Sequence, residues 1–207
     1  MRDKPLDVEL ALLAFVAGAV ILSLFSPYDL RIWWMEAAPV LIAAPLLAVT
    51  VRRFRFTRLT YSLIALHAAI LLVGAHYTYA LVPLGDWLKD ALDLSRNHYD
   101  RLGHFAQGFV PAIIARELLL RTSPLRPGKW LFALVVLSVL GISAAYELIE
   151  WLAAEMSTDG ASAFLGTQGD VWDTQKDMAT AAVGAAVALI SLGRLHDRQI
   201  SETEQID

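Results

Sequence analysis

Seven side chains in the second half of the chain have the types and spacing for acid–base or metal chemistry. Asp100 and His104 stand at i and i+4, Glu147 and Glu150 at i and i+3, and Asp170, Asp173 and Asp177 at i, i+3 and i+7. On helices, each set falls on one face. Six carboxyl groups and one imidazole cannot all be charged and close without compensation. Some stay protonated, or basic neighbours such as Arg101 and Lys176 pair with them, or a cation sits among them. Carboxylate oxygens with one imidazole suit Mg²⁺, Mn²⁺, Ca²⁺ or Zn²⁺. The candidate ligands are Asp100, His104, Glu147, Asp170, Asp173 and Asp177. A cation held there could activate water or polarise a phosphoryl or acyl oxygen. A carboxylate left off it could act as general base, with Glu150 and Asp173 the candidate catalytic groups. Asp170 and Asp173 also fit a simpler role, capping a helix N-terminus that favours acidic groups.

The elements that must position these groups are apolar runs. Apolar residues make up 57% of the 207-residue chain, and mean hydropathy is +0.51. Near-uncharged stretches recur at about 18 residues or more, the length that crosses hydrocarbon. The pattern predicts an all-α polytopic membrane protein, residues 1–207 forming a single transmembrane domain. About six spans are expected: Val8 to Leu24, Trp33 to Val51, Leu59 to Leu81, Asp100 to Arg121, Trp130 to Ala154 and Val171 to Leu192. The fourth and sixth carry charge at one end and are the weakest by hydropathy. A short interfacial helix is expected in the polar segment from Gly85 to Tyr99. The first run lacks a small-residue cleavage site and reads as a retained helix. With no cysteine, disulfides and thiolate chemistry are excluded.

Orientation follows from the distribution of Lys and Arg. With the N-terminus in the cytoplasm, twelve of the 17 basic residues fall inside and five outside, and Arg52, Arg53, Arg55 and Arg58 dominate the bias. Both termini are then cytoplasmic. All three acidic sets fall at the outer ends of the last three spans. Carboxylates facing lipid are costly, so these stripes should face one another or a water-filled cavity.

Other polar residues are read more plainly. His67, in mid-span, is expected to make a helix–helix hydrogen bond. Glu36 and His76 lie near outer span ends and could extend the cavity. Glu117 is thirteen residues from His104, about 20 Å along a helix, so with Arg116 it forms an ion pair or a second polar site at the inner end. His98 and His196 read as interface and tail residues. Gly166-Thr167-Gln168-Gly169 reads as a tight turn leading into the acidic stripe. Gly184 among Ala181, Ala182, Ala185 and Ala186 makes a small-residue surface for close packing, within the chain or in a homo-oligomer.

Three motifs carry a family resemblance. Tyr99-Asp100-Arg101-Leu102-Gly103-His104-Phe105-Ala106-Gln107-Gly108-Phe109, Tyr146-Glu147-Leu148-Ile149-Glu150-Trp151 and Gly166-Thr167-Gln168-Gly169-Asp170-Val171-Trp172-Asp173-Thr174-Gln175-Lys176-Asp177-Met178 resemble the YjdF-type bacterial inner-membrane proteins. The resemblance implies a multi-span protein and draws attention to these regions, and it brings no reaction with it. A shorter similarity to VanZ-like membrane proteins falls on Asp100, His104, Glu147, Asp177 and Gly184. It implies a connection with envelope lipids or glycolipids.

Three function classes fit. One is a metal-dependent hydrolase or transferase of a lipid or lipid-linked substrate, using a divalent metal ion. The second is an ion- or proton-coupled transporter, for which Arg116, Glu117 and His67 should matter as well as the outer cluster. The third is a non-catalytic membrane protein that binds a lipid or cation. The expected partners are membrane lipids. Nucleic acid is not among them, because the basic residues follow the positive-inside pattern with no aromatic–basic stripe. Walker, dinucleotide, serine-nucleophile and zinc-protease motifs are absent. The topology is testable by fusions. A cytoplasm-dependent fluorescent reporter at the C-terminus should be bright, and alkaline phosphatase inserted between residues 85 and 98 should be active. The reverse pattern would turn the cluster toward the cytoplasm.

Overall fold

The apolar runs become helices whose ends are set by local capping. The computed structural model describes residues 7–156 and 168–204, and the expected loop residues Gly166 and Thr167 lie outside them. In chain order the helices are α1 (Asp7–Leu24), α2 (Leu30–Thr50), α3 (Arg58–Tyr77), α4 (Pro83–Ala91), α5 (Tyr99–Thr122), α6 (Lys129–Met156) and α7 (Asp173–Glu204), with a 3₁₀ turn at Tyr79–Leu81. No strand occurs among the described residues. Asp29 caps α2 by accepting from the Arg31 and Ile32 amides at 2.7 and 3.3 Å, and Thr57 caps α3.

Five helices, α1, α2, α3, α6 and α7, are long and apolar enough to cross a membrane. The fourth expected span, α5, has the length, 24 residues or about 36 Å. It lacks the composition, because Asp100, Arg101, Arg116, Glu117 and Arg121 interrupt it. Large apolar side chains such as Phe15, Ile21, Ile42, Val49 and Ile190 lie exposed on the outer surfaces, as a lipid-facing surface requires. The short helix α4 is present and leaves Leu84 and Trp87 exposed.

Two boundaries differ from the sequence reading. The third run was expected to reach Leu81, but α3 ends at Tyr77 and Thr78 takes φ 58°. The turn puts the Tyr79 ring into a notch floored by Gly74 and Gly103, where an added Cβ would lie 2.4 and 2.8 Å from it. The last run was expected to end near Leu192 in a charged tail, but α7 continues to Glu204. Its extension is held because His196 and Ile200 are buried and Gln199 accepts from the Leu59 amide at 2.9 Å.

The core falls into two groups. One joins α1, α2 and α3 around Trp33, Ala37, Ala65 and Leu72. The other joins α5, α6 and α7 around Ile113, Val135, Val139, Ala181 and Ala185. The most extensive helix pair is α5 with α7. A Cβ on Gly108 would lie 1.8 Å from the Ala181 carbonyl oxygen, and one on Gly184 would lie 2.3 Å from that of Phe105. The small-residue surface of α7 is therefore used within the chain. Gly108→Val or Gly184→Val should lower stability by about 1–3 kcal/mol or more, the cost of overpacking. Gly141→Ala and Gly193→Ala, where an added Cβ meets nothing within 4 Å, should be neutral or slightly stabilising. Thermal melts in detergent compare the four; equal losses would contradict the contact.

Candidate functional site

Because α5 and α7 touch backbone to backbone, the polar residues in their first turns are brought face to face, and the late turns of α6 close the third side. His104 is the centre. Its Nδ1 lies 2.9 Å from Gln107 Oε1, which also accepts from Ser143 Oγ at 3.5 Å. An amide oxygen only accepts, so Nδ1 carries the proton of this bond. His104 Nε2 then faces three carboxylates: Asp100 Oδ1 at 3.5 Å, Glu147 Oε1 at 3.8 Å and Asp177 Oδ1 at 3.8 Å. A lone pair among three carboxylate oxygens is electrostatically untenable. A proton on Nε2, a protonated carboxyl group or a cation resolves it.

The distances bear on which. They are long for hydrogen bonds. One ligand atom from each of Asp100, His104 and Asp177 lies within 4.8 Å of the others, a spread that an ion with ligands at about 2.0–2.6 Å can bridge. Glu147 is buried, 8% exposed, and its Oε1 has no hydrogen-bond partner among the described residues. Such orphaned buried carboxylate oxygens are costly unless something completes them.

A second layer lies beside this group and is basic. Arg96 and Arg101 both donate to Asp173 Oδ1, at 2.6 and 2.5 Å. Arg101 also donates to Asp177, and lies 3.5 Å from Asp170 Oδ2. Asp170 stands outside the helix, where a 2.6 Å hydrogen bond from Lys176 and the Trp172 amide hold its carboxyl below the usual range. The six candidate ligands thus divide. Asp100, Glu147 and Asp177 face His104 Nε2, with Asp177 also held by Arg101, while Asp170 and Asp173 are engaged by cations of the chain alone. Glu150 lines a cavity of about 200 Å³ with Glu36, Asp100, His104, Tyr79 and Tyr146.

Arg96 is the site residue that sequence reasoning assigned only to a topology count. Its signal was its place four residues before Asp100, to which it comes within 3.8 Å. Asn97 was also passed over. Buried and 1% exposed, it donates to the Val82 carbonyl and Asp86 Oδ1, and exchanges hydrogen bonds with Gln168 through its backbone. It ties α4 and the residues before α7 to the start of α5. Glu36 enters the cavity wall as expected of it, but His76 does not, and its Nδ1 lies 3.0 Å from the Ser23 carbonyl. His67 differs from expectation. Its Nε2 has no hydrogen-bond partner among the described residues, because the neighbouring helices present apolar groups and a cavity there.

The opposite end of α5 and α7 carries its own polar cluster, of a different character. Glu117 is fully buried and fully satisfied. Oε1 accepts from the Thr57 amide and Arg121 at 2.8 and 3.0 Å, and Oε2 from Thr57 Oγ1, Thr60 Oγ1 and His196 Nε2 at 2.9, 2.6 and 3.0 Å. Arg116 donates to His196 Nδ1 at 3.2 Å and to Asp197 at 2.5 Å. His196, expected to be a tail residue, is 0% exposed and is fixed in its Nε2–H form by these two neighbours.

The fold and site together define a class: an all-α, multi-span membrane protein with carboxylates, one histidine and two arginines gathered at one end of three helices. The family model described as a predicted membrane protein, DUF2238, matches residues 8–198, and the chain belongs to that family. It is similar to the inner membrane protein YjdF of Escherichia coli strain K12, 53% identical over 175 residues that cover 84% of each chain. It is accordingly a multi-pass protein of the inner membrane. No solved structure matches it.

The two clusters predict opposite responses. Removing Glu117 takes the shared acceptor from Thr57, Thr60, His196 and Arg121, so Glu117→Ala should cost about 3–5 kcal/mol, as for other broken buried pairs. Glu147→Gln replaces an orphaned carboxylate and should leave the metal-free protein as stable or more stable, the pattern of a group kept for function. Melting curves of both variants after chelation decide it; a large loss in Glu147→Gln would make that residue structural.

Proposed function

We propose that the outer-end cluster is the divalent-cation centre of a membrane enzyme that hydrolyses or transfers a lipid or lipid-linked substrate at the outer leaflet. The observation that supports it best is the ring of Asp100, Glu147 and Asp177 about His104 Nε2, with Glu147 Oε1 buried and unpartnered. Asp100, His104 and Asp177 hold the ion and Glu147 completes its shell. The ion supplies Lewis acidity toward a phosphoryl or acyl oxygen. Glu150, in the cavity wall beside it, takes the proton from the attacking water or hydroxyl. Arg96 and Arg101 are the groups suited to an anionic oxygen, because a guanidinium binds phosphate or carboxylate through paired donors. Asp173 and Asp170 then act by positioning those arginines, a different role from the ligand or base that spacing alone allowed them.

The same reading takes α5 as a sixth crossing. Its polar side chains turn to α3, α6 and α7, the helices it packs on, so an apolar composition is not required of it. Both termini are cytoplasmic, by the twelve-to-five bias of Lys and Arg.

Elemental analysis of purified wild type beside Asp100→Asn/Asp177→Asn tests the centre. Near-stoichiometric divalent metal is expected in the wild type and loss of it in the double variant. Chelation should lower the melting temperature of the wild type alone, since an ion at a hundredfold excess over its Kd contributes about 2.7 kcal/mol. A well-folded wild type without metal, indifferent to chelator and added divalent ions, would sink the reading.

A further inference from the structure

The cavity beside His104 adjoins a second, larger space. Pro39, His67, Leu71 and Pro111 line both. Beyond them a cleft of about 450 Å³ runs between α1, α2 and α3, within the range of about 300–1,000 Å³ typical of ligand pockets. Its walls are almost wholly apolar, with Leu12, Val16, Val40, Ala44, Leu47 and Ala68 representative of the three helices. Glu9 and Arg52 mark its far end, and Glu9 is already held by Arg55 at 2.6 Å. Along α2, from Glu36 in the polar cavity to Val51 at the far end is fifteen residues, or about 22 Å. That exceeds the roughly 15 Å depth of one leaflet's hydrocarbon.

Two features favour a lipid chain as the occupant. First, α1 and α2 each pack on α3 and scarcely meet one another, which leaves the cleft a lateral mouth toward the bilayer. Second, two polar atoms near the junction lack hydrogen-bond partners among the described residues: Glu36 Oε2, on a residue 4% exposed, and His67 Nε2. Pro39 and Pro111 have no backbone N–H to close the helical ladder where the two spaces meet. The junction therefore offers hydrogen-bonding groups to an ester or similar linkage, with apolar wall below and charged wall above.

We propose that the two spaces form one binding site for a single membrane lipid. Its polar group lies in the cavity beside Glu36 and His104, its linkage lies at His67, and one hydrocarbon chain descends between α1, α2 and α3. This deepens the lipid-substrate reading and rests on it, and it is independent of whether the centre holds a metal. Selectivity comes from the polar anchor and the fit of the chain, because bulk lipid is as apolar as the cleft and supplies no hydrophobic driving force.

The test is photo-crosslinking with a phosphatidylethanolamine that carries a diazirine near the end of one chain. The full chain is placed in nanodiscs of phosphatidylethanolamine and phosphatidylglycerol, and the adducts are mapped by mass spectrometry. Labelling should concentrate on cleft residues such as Leu12, Ala44 and Leu47. Ala44→Trp should reduce it about tenfold, the change that roughly 1.4 kcal/mol of exclusion produces. Leu46→Trp, on a 58% exposed position of the same helix, should leave it unchanged. Adducts spread evenly over Leu46, Val49 and Leu66, with no enrichment in the cleft, would overturn the proposal, and that wild-type map needs no variant to fold. The outcome reads separately from elemental analysis. A metal-free protein with a labelled cleft keeps the lipid site, and a metal-bearing protein with an unlabelled one loses it.

Discussion

Where Gly108 meets Ala181 and Gly184 meets Phe105, two helix backbones touch with no side chain between them. Much else depends on that contact. It sets α5 and α7 close enough for Arg101 to reach Asp173 and Asp177 at one end, and for Arg116 to reach His196 and Asp197 at the other. Both polar clusters are thus spanned by the same two helices. A methyl group at the crossing would push the pair apart at its middle and loosen the charged ends together. In a membrane, where association gains nothing from excluding water, close packing and interhelical polar bonds are the available forces, and this pair of helices uses both.

The clusters share a scaffold and differ in how completely their charges are answered. At the Glu117 end both carboxylate oxygens are occupied, and the network joins α3, α5 and α7. A fully satisfied buried network rigidifies what it joins. At the other end the arginines answer Asp170, Asp173 and, through Arg101, Asp177, while Glu147 Oε1 has no hydrogen-bond partner among the described residues. One end is complete without a ligand and the other is not. The contrast within one molecule is more informative than either cluster alone, since general arguments about buried charge apply equally to both.

Much of this was legible in the residue order. Apolar run lengths gave five of the long helices, and the i, i+3, i+4 and i+7 spacings placed the acidic faces, because both depend only on helical periodicity. The convergence of the three acidic sets followed from topology. What escaped required knowledge of partners. His196 sits among charged residues that look like a tail, and only the opposing Glu117 and Arg116 make it core. Arg96 lies between α4 and α5, on no helix face, and its role depends on Asp173, 77 positions later. His67 looked like a residue that would find a partner across a helix interface, and nothing in the local sequence says that a cavity lies there instead. The end of α3 was misplaced because Tyr79 leaves the helix to fill a notch half built by Gly103, a residue of another helix.

The order in which these partners are made matters for how the protein is assembled. α5 carries five charged residues, and its principal partner, α7, follows it only later in the chain. Fifty residues separate the end of α5 at Thr122 from the start of α7 at Asp173, which at about 5–20 residues per second is an interval of roughly 3–10 s. During that interval Arg101 and Arg116 lack the carboxylates they will finally face, and Gly108 lacks the backbone it will finally touch. The charges of α5 and its close backbone contact are therefore met only once α7 has been made.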